Sequence, residues 1–474
     1  MLSLCSHWRK TFTFCCVWNI INQFSKSVVA CNSQRKPTSQ PSSNIVFQTR
    51  SQKLRTIGVE EVLLFKTMIG LRHYSAQRPL PRRIASRLMR PPAGIPRASG
   101  WKLYMSHITG TVKPRMTELQ NEIMAAVDVL GSKNQSVVKD EINQWHFHND
   151  QAPIKTPTLL IHGYAASSMA FHRNFSGLSR QIQDLYAIDL PANGLSPSQE
   201  LDIKYPEPLA LKVNIKADKF QIPYTIEYLP HKCLVQNLED YYLDALEQWR
   251  HDNGLGAINI VAHSFGGYLS FKYAIKYPQA VKKLCLISPL GVERNVFSVN
   301  NHWRSNTEYQ LNFEDPASKL YLPQRPAIPN TIFESQTKLL RNLGPLGAKL
   351  CWNYIASAYS RTPSLSYKKY VFEMFYGKDG LSQISKDVFT GLFTNRLLAK
   401  DPLLDCLVHL KADDLLLLYG DHDWMNRRAG FELTREAEAM GIDANYSEVS
   451  SSGHNLFLDN PEEFNQRVLQ FIAS

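Results

Sequence analysis

Short apolar runs alternate with amphipathic stretches along the chain from about residue 144 to the C-terminus. The apolar runs are rich in Leu, Ile and Val, and they lie at 158–161, 185–188, 258–262, 283–287 and 415–419. Runs without polar alternation are typical of strands that are covered on both faces in a parallel sheet. The stretches between them, such as 238–250 and 267–277, have the periodicity of amphipathic helices. This order predicts an α/β fold with a mostly parallel central sheet covered by helices.

Two segments interrupt this rhythm. Residues 199–233 are polar and contain proline, and we interpret them as a surface excursion with strand-like pieces. Residues 290–402 are aromatic and helical in pattern, which favours a helical cap inserted between strands; the alternative is a helical subdomain without a role in substrate binding. The predicted division is a leader at 1–117, two parts of one α/β domain at 118–289 and 403–474, and the cap at 290–402.

Charge is distributed unevenly along the 474 residues, whose hydrophobic share of 44% is that of a globular chain. Residues 1–117 contain 19 Lys or Arg and only two acids, Glu60 and Glu61. From Glu118 onward there are 34 basic and 40 acidic residues. The net charge of +11 therefore belongs to the leader and does not indicate a surface that binds nucleic acid.

The leader has the Arg-rich, Ser-rich and acid-poor composition of a mitochondrial transit peptide, which is removed or unfolded in the mature protein. A secretory signal is the alternative, because Trp8, Arg9 and Lys10 precede an apolar stretch at 11–21. Basic residues continue as far as Arg97, well beyond a signal peptide, so we favour mitochondrial import. No stretch reaches the roughly 18 apolar residues that span a bilayer, so the expected membrane contact is peripheral.

Neither a metal site nor a bound cofactor is expected. The body carries four cysteines, singly and without a CxxC pair, and their expected state is that of reduced core thiols. The HExxH, GxGxxG and Walker A patterns do not occur. Metal, dinucleotide and nucleotide chemistry therefore lack their usual sequence signals.

A candidate nucleophile, Ser264, lies in a sharp turn between a predicted strand and a predicted helix. The turn reads Ala262, His263, Ser264, Phe265, Gly266, Gly267. Small residues on both sides allow the helix to pack against the strand while the serine stands above the sheet edge. Ala262 replaces the more usual glycine, and its methyl group should be tolerated. A serine in an ordinary turn is the alternative, and we interpret His263 as a packing residue.

The base and the acid that a serine nucleophile needs follow in the expected order along the chain. His454 lies between the strand-like 444–449 and a helix that begins at Pro461, where the base belongs. The acid should follow the run 415–419, where Asp421 and Asp423 are both present. We favour Asp423, since its spacing carries the carboxylate past the turn, and keep Asp421 as the second choice.

Backbone N–H groups near the nucleophile are the candidate donors for an oxyanion hole. The strand at 158–161 runs into His162, Gly163 and Tyr164, a turn where an amide can point into the site. We expect the N–H groups of Tyr164 and Phe265 to be the two donors. His162 is interpreted as structural rather than as a general base.

Together with the segments 171–175 and 453–459, these motifs resemble the α/β-hydrolases from about His146 to the C-terminus. The combination is similar to the fungal mitochondrial cardiolipin-specific deacylases and to the lysophosphatidic acid acyltransferases that share this domain. In that family, the His-x4-Asp pattern formed here by His454 and Asp459 is associated with acyltransferase activity. Asp459 has a plainer alternative as a helix N-cap or a salt-bridge residue.

The resemblance implies a serine acyl hydrolase that removes a fatty acyl chain from a membrane phospholipid, with cardiolipin as the first candidate and monolysocardiolipin as the product. The alternative is a lysophosphatidic acid acyltransferase that makes phosphatidic acid. A non-catalytic regulator of another lipase is less favoured, because Ser264, Asp423 and His454 are all present.

The implied partners are the phospholipid substrate and the matrix side of the inner mitochondrial membrane, with no nucleic acid and no metal. Aromatic and basic residues of the cap fit contact with an anionic membrane, although the aromatics fit core packing equally well. They are Trp303, Tyr309, Tyr321, Trp352, Tyr354, Tyr359, Lys368 and Lys369.

Overall fold

The computed structural model describes residues 98–201, 214–223, 227–378 and 380–474. The predicted leader at 1–117 lies outside the described residues, apart from 98–117. No described helix combines the length and the apolar character needed to cross a membrane.

The described residues form a central sheet of eight strands in the order β1-β2-β4-β3-β7-β8-β10-β11. Neighbouring strands from β4 to β11 pair in parallel, whereas β1 and β2 form an antiparallel edge. The mostly parallel α/β sheet is therefore confirmed. The bounds are β1 Ser132–Val138, β2 Ile142–His148, β3 Thr158–Ile161, β4 Asp184–Ile188, β7 Ile258–His263, β8 Val281–Ile287, β10 Asp414–Gly420 and β11 Asp443–Val449.

Helices cover both faces of this sheet, which is why its central strands are apolar throughout. Alternate residues of one strand enter different core clusters: Leu159 and Ile161 lie in one, and Leu160 lies in the other. The described helices outside the cap segment are α1 Gly100–Thr109, α2 Val112–Ala125, α3 Phe175–Ser179, α4 Tyr228–Asp252, α5 Phe265–Lys276, α11 Leu403–Cys406, α12 Arg427–Ala439, α13 Leu456–Asp459 and α14 Pro461–Ala473.

The segment predicted as a cap carries five helices between β8 and β10. They are α6 Asn330–Ser335, α7 Thr337–Asn342, α8 Gly344–Ala358, α9 Leu365–Tyr376 and α10 Gln383–Leu392. It also contributes β9 Glu308–Gln310 to a small antiparallel sheet with β5 Asn214–Lys216 and β6 Lys219–Gln221. Phe220 of β6 packs on Trp303, so the polar excursion contacts the cap segment. The excursion ends earlier than expected, because α4 already begins at Tyr228.

The boundary predicted at residue 117 is wrong, because it falls inside α2. Helices α1 and α2 pack against α8 and α9 of the cap segment, and Val112 and Met116 are buried. Arg115 reaches across to α9, where its Nη2 lies 2.8 Å from Oε2 of Glu373. Burial raises the pKa of Glu373, and the hydrogen bond and charge of Arg115 oppose that rise. Residues 98–117 are therefore part of the folded body.

Candidate active site

Ser264 occupies a strained turn between β7 and α5. Its backbone has φ 53° and ψ −111°, a conformation that non-glycine residues rarely adopt. The turn is held on both sides: the N–H of Ser264 donates to the carbonyl of Ile287 at 2.9 Å, and its carbonyl accepts from Leu290 at 3.0 Å. A Cβ at Gly266 would lie 2.3 Å from the carbonyl oxygen of His162, so only glycine fits there. The packing holds the serine side chain at the carboxyl edge of the sheet.

The three residues predicted as nucleophile, base and acid meet at this edge. Nε2 of His454 lies 3.1 Å from Oγ of Ser264. Nδ1 of His454 lies 3.2 Å from Oδ1 of Asp423. Each residue follows the carboxyl end of a parallel strand, which is where such a sheet gathers its side chains. The arrangement can pass a proton from the serine to the imidazole while the carboxylate orients the ring.

Asp423 is fully buried and remains favoured as a carboxylate. Burial raises its pKa, but the contact with His454 and the donors on its two oxygens outweigh burial and hold the pKa below its usual value. The N–H of Met425 donates to Oδ1 at 3.0 Å, and the hydroxyl of Ser288 donates to Oδ2. Ser288 follows β8, has a φ of 44° and was missed by sequence reasoning. Its only sequence signal is a serine before Pro289 at a strand end.

Asp421 lies elsewhere in the turn and does not contact His454. Its carboxylate accepts the N–H groups of Ser451 at 2.9 Å and Ser452 at 2.8 Å, and it pairs with His422 at 2.6 Å. These bonds fasten the turn after β10 to the loop that carries His454.

Asp459 supports the same loop from the other side. Its Oδ2 accepts the N–H of Gly453 at 2.9 Å, and Nη1 of Arg361 lies 3.9 Å from it. The N-cap interpretation is wrong, because Asn460 caps α14 by accepting the N–H of Glu463. Asp459 therefore holds the residue next to His454 in place.

The turn predicted as an oxyanion hole lies against the nucleophile. A Cβ at Gly163 would lie 3.1 Å from Cβ of Ser264 and 2.9 Å from Nδ1 of His263, so this backbone passes directly over the serine. The N–H of Phe265 belongs to the first turn of α5 and has no partner within the helix. For the N–H of Tyr164, no backbone acceptor is found among the described residues. The N–H groups of Tyr164 and Phe265 therefore stay the predicted donors.

Two further histidines near the nucleophile are buried and have defined roles. His162 donates from Nδ1 to the carbonyl of Gly163 at 2.7 Å and accepts at Nε2 from the N–H of Leu190 at 2.9 Å. Both of its nitrogens are occupied, in agreement with a structural role. His263 donates from Nε2 to the carbonyl of His454 at 3.0 Å, so it fastens the base as well as packing. Burial holds the pKa of His263 well below its usual value, and the ring is neutral.

The cap segment covers the site through Tyr164. The hydroxyl of Tyr164 donates to Oε1 of Gln336 at 2.5 Å, between α6 and α7. Its ring stacks on Phe389 of α10 with the ring centroids 3.8 Å apart. Ser264 itself is only 8% exposed. Of the cap residues predicted for membrane contact, Trp303, Tyr321, Trp352 and Lys368 are buried.

A group of possible metal ligands lies at the opposite edge of the sheet. Oδ1 of Asp184 lies 2.9 Å from Nε2 of His146 and 2.8 Å from Nδ1 of His148. Sequence reasoning overlooked this His-x-His spacing on β2, which places both rings on one face. Both imidazoles contact the same carboxylate, so the three side chains have polar partners without a metal ion. The absence of a metal site stays a prediction. Of the four body cysteines, Cys233 is exposed and the other three are buried.

Comparisons with known proteins agree with this architecture. The sequence profile of the α/β-hydrolase fold matches residues 156–461. Protein ECM18 of Saccharomyces cerevisiae is 52% identical over 84% of this chain and 89% of its own length. The 1-acylglycerol-3-phosphate O-acyltransferase ICT1 of the same yeast is 46% identical over 75% and 92%. A (lyso)-N-acylphosphatidylethanolamine lipase of Mus musculus is 23% identical over 50% and 65%.

Proposed function

The chain belongs to the α/β-hydrolase fold family, and from that premise we propose that it is a serine-dependent enzyme that transfers acyl groups of phospholipids. The proposal rests on two contacts of His454, one with Ser264 and one with Asp423. The chain is 46% identical to a lysophosphatidic acid acyltransferase, and the match covers 92% of that relative. This similarity supports a phospholipid substrate.

In the first step the enzyme takes an acyl group from a phospholipid ester or an acyl-CoA thioester. Oγ of Ser264 attacks the acyl carbonyl carbon while its proton moves to Nε2 of His454. Asp423 stabilises the imidazolium, and the N–H groups of Tyr164 and Phe265 stabilise the oxyanion. The bond to the donor breaks, the leaving oxygen or sulfur takes the proton from His454, and an ester on Ser264 remains.

In the second step a lysophospholipid, 1-acylglycerol-3-phosphate, accepts the acyl group. Its free hydroxyl attacks the ester, gives its proton to His454 and displaces Ser264, which takes the proton back. The product is phosphatidic acid. The low exposure of Ser264 supports transfer over hydrolysis, because water reaches the acyl-enzyme poorly under the cap segment.

Hydrolysis is the second candidate, with water in place of the lysophospholipid. The similarity to the mouse lipase supports it, as does the resemblance to the fungal cardiolipin deacylases. In that case cardiolipin would yield a fatty acid and monolysocardiolipin. A non-catalytic regulator would not need the complete arrangement of Ser264, His454 and Asp423.

The test incubates purified wild-type protein and the Ser264→Ala variant with cardiolipin or phosphatidylcholine vesicles, with and without acyl-CoA and 1-acylglycerol-3-phosphate. Serine-dependent formation of phosphatidic acid without matching fatty acid release supports the transferase. Serine-dependent release of fatty acid and monolysocardiolipin replaces it with the deacylase. Equal activity of both proteins excludes the serine mechanism. Ser298→Ala is the matched control, since Ser298 is a buried serine that bonds Asp405 away from the site.

A mitochondrial location is part of the proposal and rests on the basic, acid-poor residues 1–97. A fusion of these residues to a fluorescent protein is expected to enter mitochondria when expressed in yeast. Entry into the secretory pathway would replace this proposal with the signal-peptide interpretation.

A further inference from the structure

Helix α1 has an exposed apolar face in a part of the chain that the sequence assigned to the leader. Trp101, Met105 and Ile108 are 66%, 46% and 58% exposed. Their spacing of four and three residues places them on one side of the helix. Exposed apolar side chains that are grouped in this way, rather than scattered singly, mark contact with a membrane or with another protein. The face is therefore a candidate interaction surface.

The opposite side of α1 is packed against the cap segment, so the apolar face has a fixed direction. The ring centroid of His107 lies 5.0 Å from that of Tyr376 in α9. A Cβ at Gly100 would clash with the carbonyl oxygen of Pro345, because α1 begins directly against the first turn of α8. Leu346, the next residue along α8, is 49% exposed beside this contact. Helix α8 thus adds an apolar side chain close to the start of α1.

The two segments that form this surface contain basic residues and no acid. Residues 98–117 carry three Lys or Arg, and residues 337–358, which include α7 and α8, carry another three. Lys102, Lys113 and Lys338 are exposed. An exposed apolar helix face that is bordered by lysines is typical of a helix that lies in the surface of an anionic bilayer. The charge therefore favours a membrane over a protein partner.

We propose that this surface docks the protein on an anionic phospholipid bilayer. The apolar side chains enter the boundary between headgroups and acyl chains, and the lysines face the anionic headgroups. The inference goes beyond the proposed function, which gives only the reason for contact with phospholipid. The docking surface consists of Trp101, Lys102, Met105, Ile108, Lys113 and Leu346.

The docking surface is connected to the candidate active site by packed helices. Helix α8 packs against both α1 and α7. Helix α7 begins directly after Gln336, the residue whose Oε1 accepts the hydroxyl of Tyr164. A bilayer held at α1 therefore lies against the same cap helices that cover Ser264.

The first test measures vesicle binding of the full chain in the Ser264→Ala background, so that no lipid is turned over. The probes are vesicles of phosphatidylcholine alone and of phosphatidylcholine mixed with phosphatidylglycerol. Changing Trp101, Met105 and Ile108 together to serine should weaken binding to the mixed vesicles at least about tenfold. The matched control changes three exposed apolar residues elsewhere to serine and should bind like its parent; they are Leu229, Val408 and Phe431.

The charged part of the docking surface has its own variants. Lys102→Gln and Lys113→Gln should each weaken binding to the mixed vesicles about fivefold at low salt. Binding to phosphatidylcholine alone should stay unchanged, because those vesicles carry no net charge. Added salt should reduce the difference between parent and variant, since it screens the lysines.

Residues 1–97 are basic as well, so a second measurement is specific to α1. Vesicles with brominated acyl chains quench the fluorescence of a tryptophan that enters the bilayer. Trp101→Leu keeps an apolar side chain and should bind with nearly unchanged affinity. This variant should nevertheless lose part of the quenching that the parent shows.

The outcomes separate this inference from the proposed function. Equal vesicle binding by the triple-serine variant and its control, or unchanged quenching in Trp101→Leu, would overturn the docking surface even if Ser264-dependent transfer is observed. A dimer of the parent that the triple-serine variant dissociates would assign the face to a second copy of the chain. Docking through α1 without Ser264-dependent turnover would refute the proposed function and leave the docking surface standing.

Discussion

The hydroxyl of Ser288 donates to Oδ2 of Asp423, and this bond connects the end of β8 to the acid of the site. Ser288 is itself fixed, because its N–H donates to the carbonyl of Leu418 in β10 at 2.8 Å. The carboxylate of Asp423 is therefore positioned by β10, the strand that it follows, and by the neighbouring strand β8. Its orientation toward His454 follows from the pairing of β8 with β10.

Ser288→Ala is expected to lower kcat about tenfold, because the carboxylate loses a hydrogen bond to a charged group. Removing that donor raises the pKa of Asp423, so the carboxylate protonates at a higher pH. The acid limb of the kcat profile should therefore move to higher pH, with KM nearly unchanged. Ser298→Ala should leave the profile in place. An unshifted acid limb in Ser288→Ala would contradict a role for this bond.

Asp423→Asn should lower kcat by about 10³- to 10⁴-fold, because the amide no longer stabilises the imidazolium. Asp421→Asn should lower it by less than about tenfold, since the amide keeps one acceptor oxygen for the N–H of either Ser451 or Ser452. Steady-state kinetics of the two variants measure the difference. The reverse order would transfer the acid's role to Asp421.

Asp459→Ala should reduce acyl transfer and hydrolysis in the same proportion, because it frees the N–H of Gly453 and loosens His454. Asp459→Asn keeps an acceptor oxygen and should restore most of both activities. Product analysis by mass spectrometry gives the two rates. A selective loss of transfer in both variants would instead assign Asp459 to the acceptor.

A chain that begins at Ala98 should be more stable than one that begins at Glu118. The shorter chain lacks α1, the buried Val112 and Met116, and Arg115, and it leaves Glu373 without that partner. The ion pair is only partly buried, since the Arg115 side chain is 23% exposed, so its loss should cost less than the about 3–5 kcal/mol of a fully buried pair. Urea unfolding measures the loss in the free energy of unfolding. Arg115→Met in the longer chain shows how much of that loss comes from the ion pair. Equal unfolding midpoints of the two chains would show that the predicted boundary at residue 117 was right.

The central strands could be predicted because a strand that is buried on both faces is apolar throughout, and this pattern is visible in each strand alone. The predicted run 158–161 matches β3, and the run 415–419 differs from β10 by one residue at each end. The edge strand β1 lacks that signal, since most of Ser132–Val138 is exposed and polar. Its place depends on pairing with β2, which is not visible in its own composition.

The positions of Ser264, His454 and Asp423 could also be predicted, because parallel strands bring their carboxyl ends to one edge. Their catalytic roles stay predictions. The role of Ser288 could not be predicted, because its hydrogen bond to Asp423 exists only where the ends of β8 and β10 meet. Helix α1 and the first part of α2 were assigned to the leader because residues 98–117 contain basic residues and no acid, whereas the acid that balances Arg115 lies 258 residues further along the chain.

Tyr164 connects the cap segment to the predicted oxyanion hole. Its hydroxyl donates to Oε1 of Gln336 at the junction of α6 and α7, and the preceding Gly163 lies against Ser264. In the proposed enzyme, a displacement of α6 and α7 that admits a lipid would break this hydrogen bond, so substrate entry and the position of one proposed oxyanion donor would be coupled through a single residue.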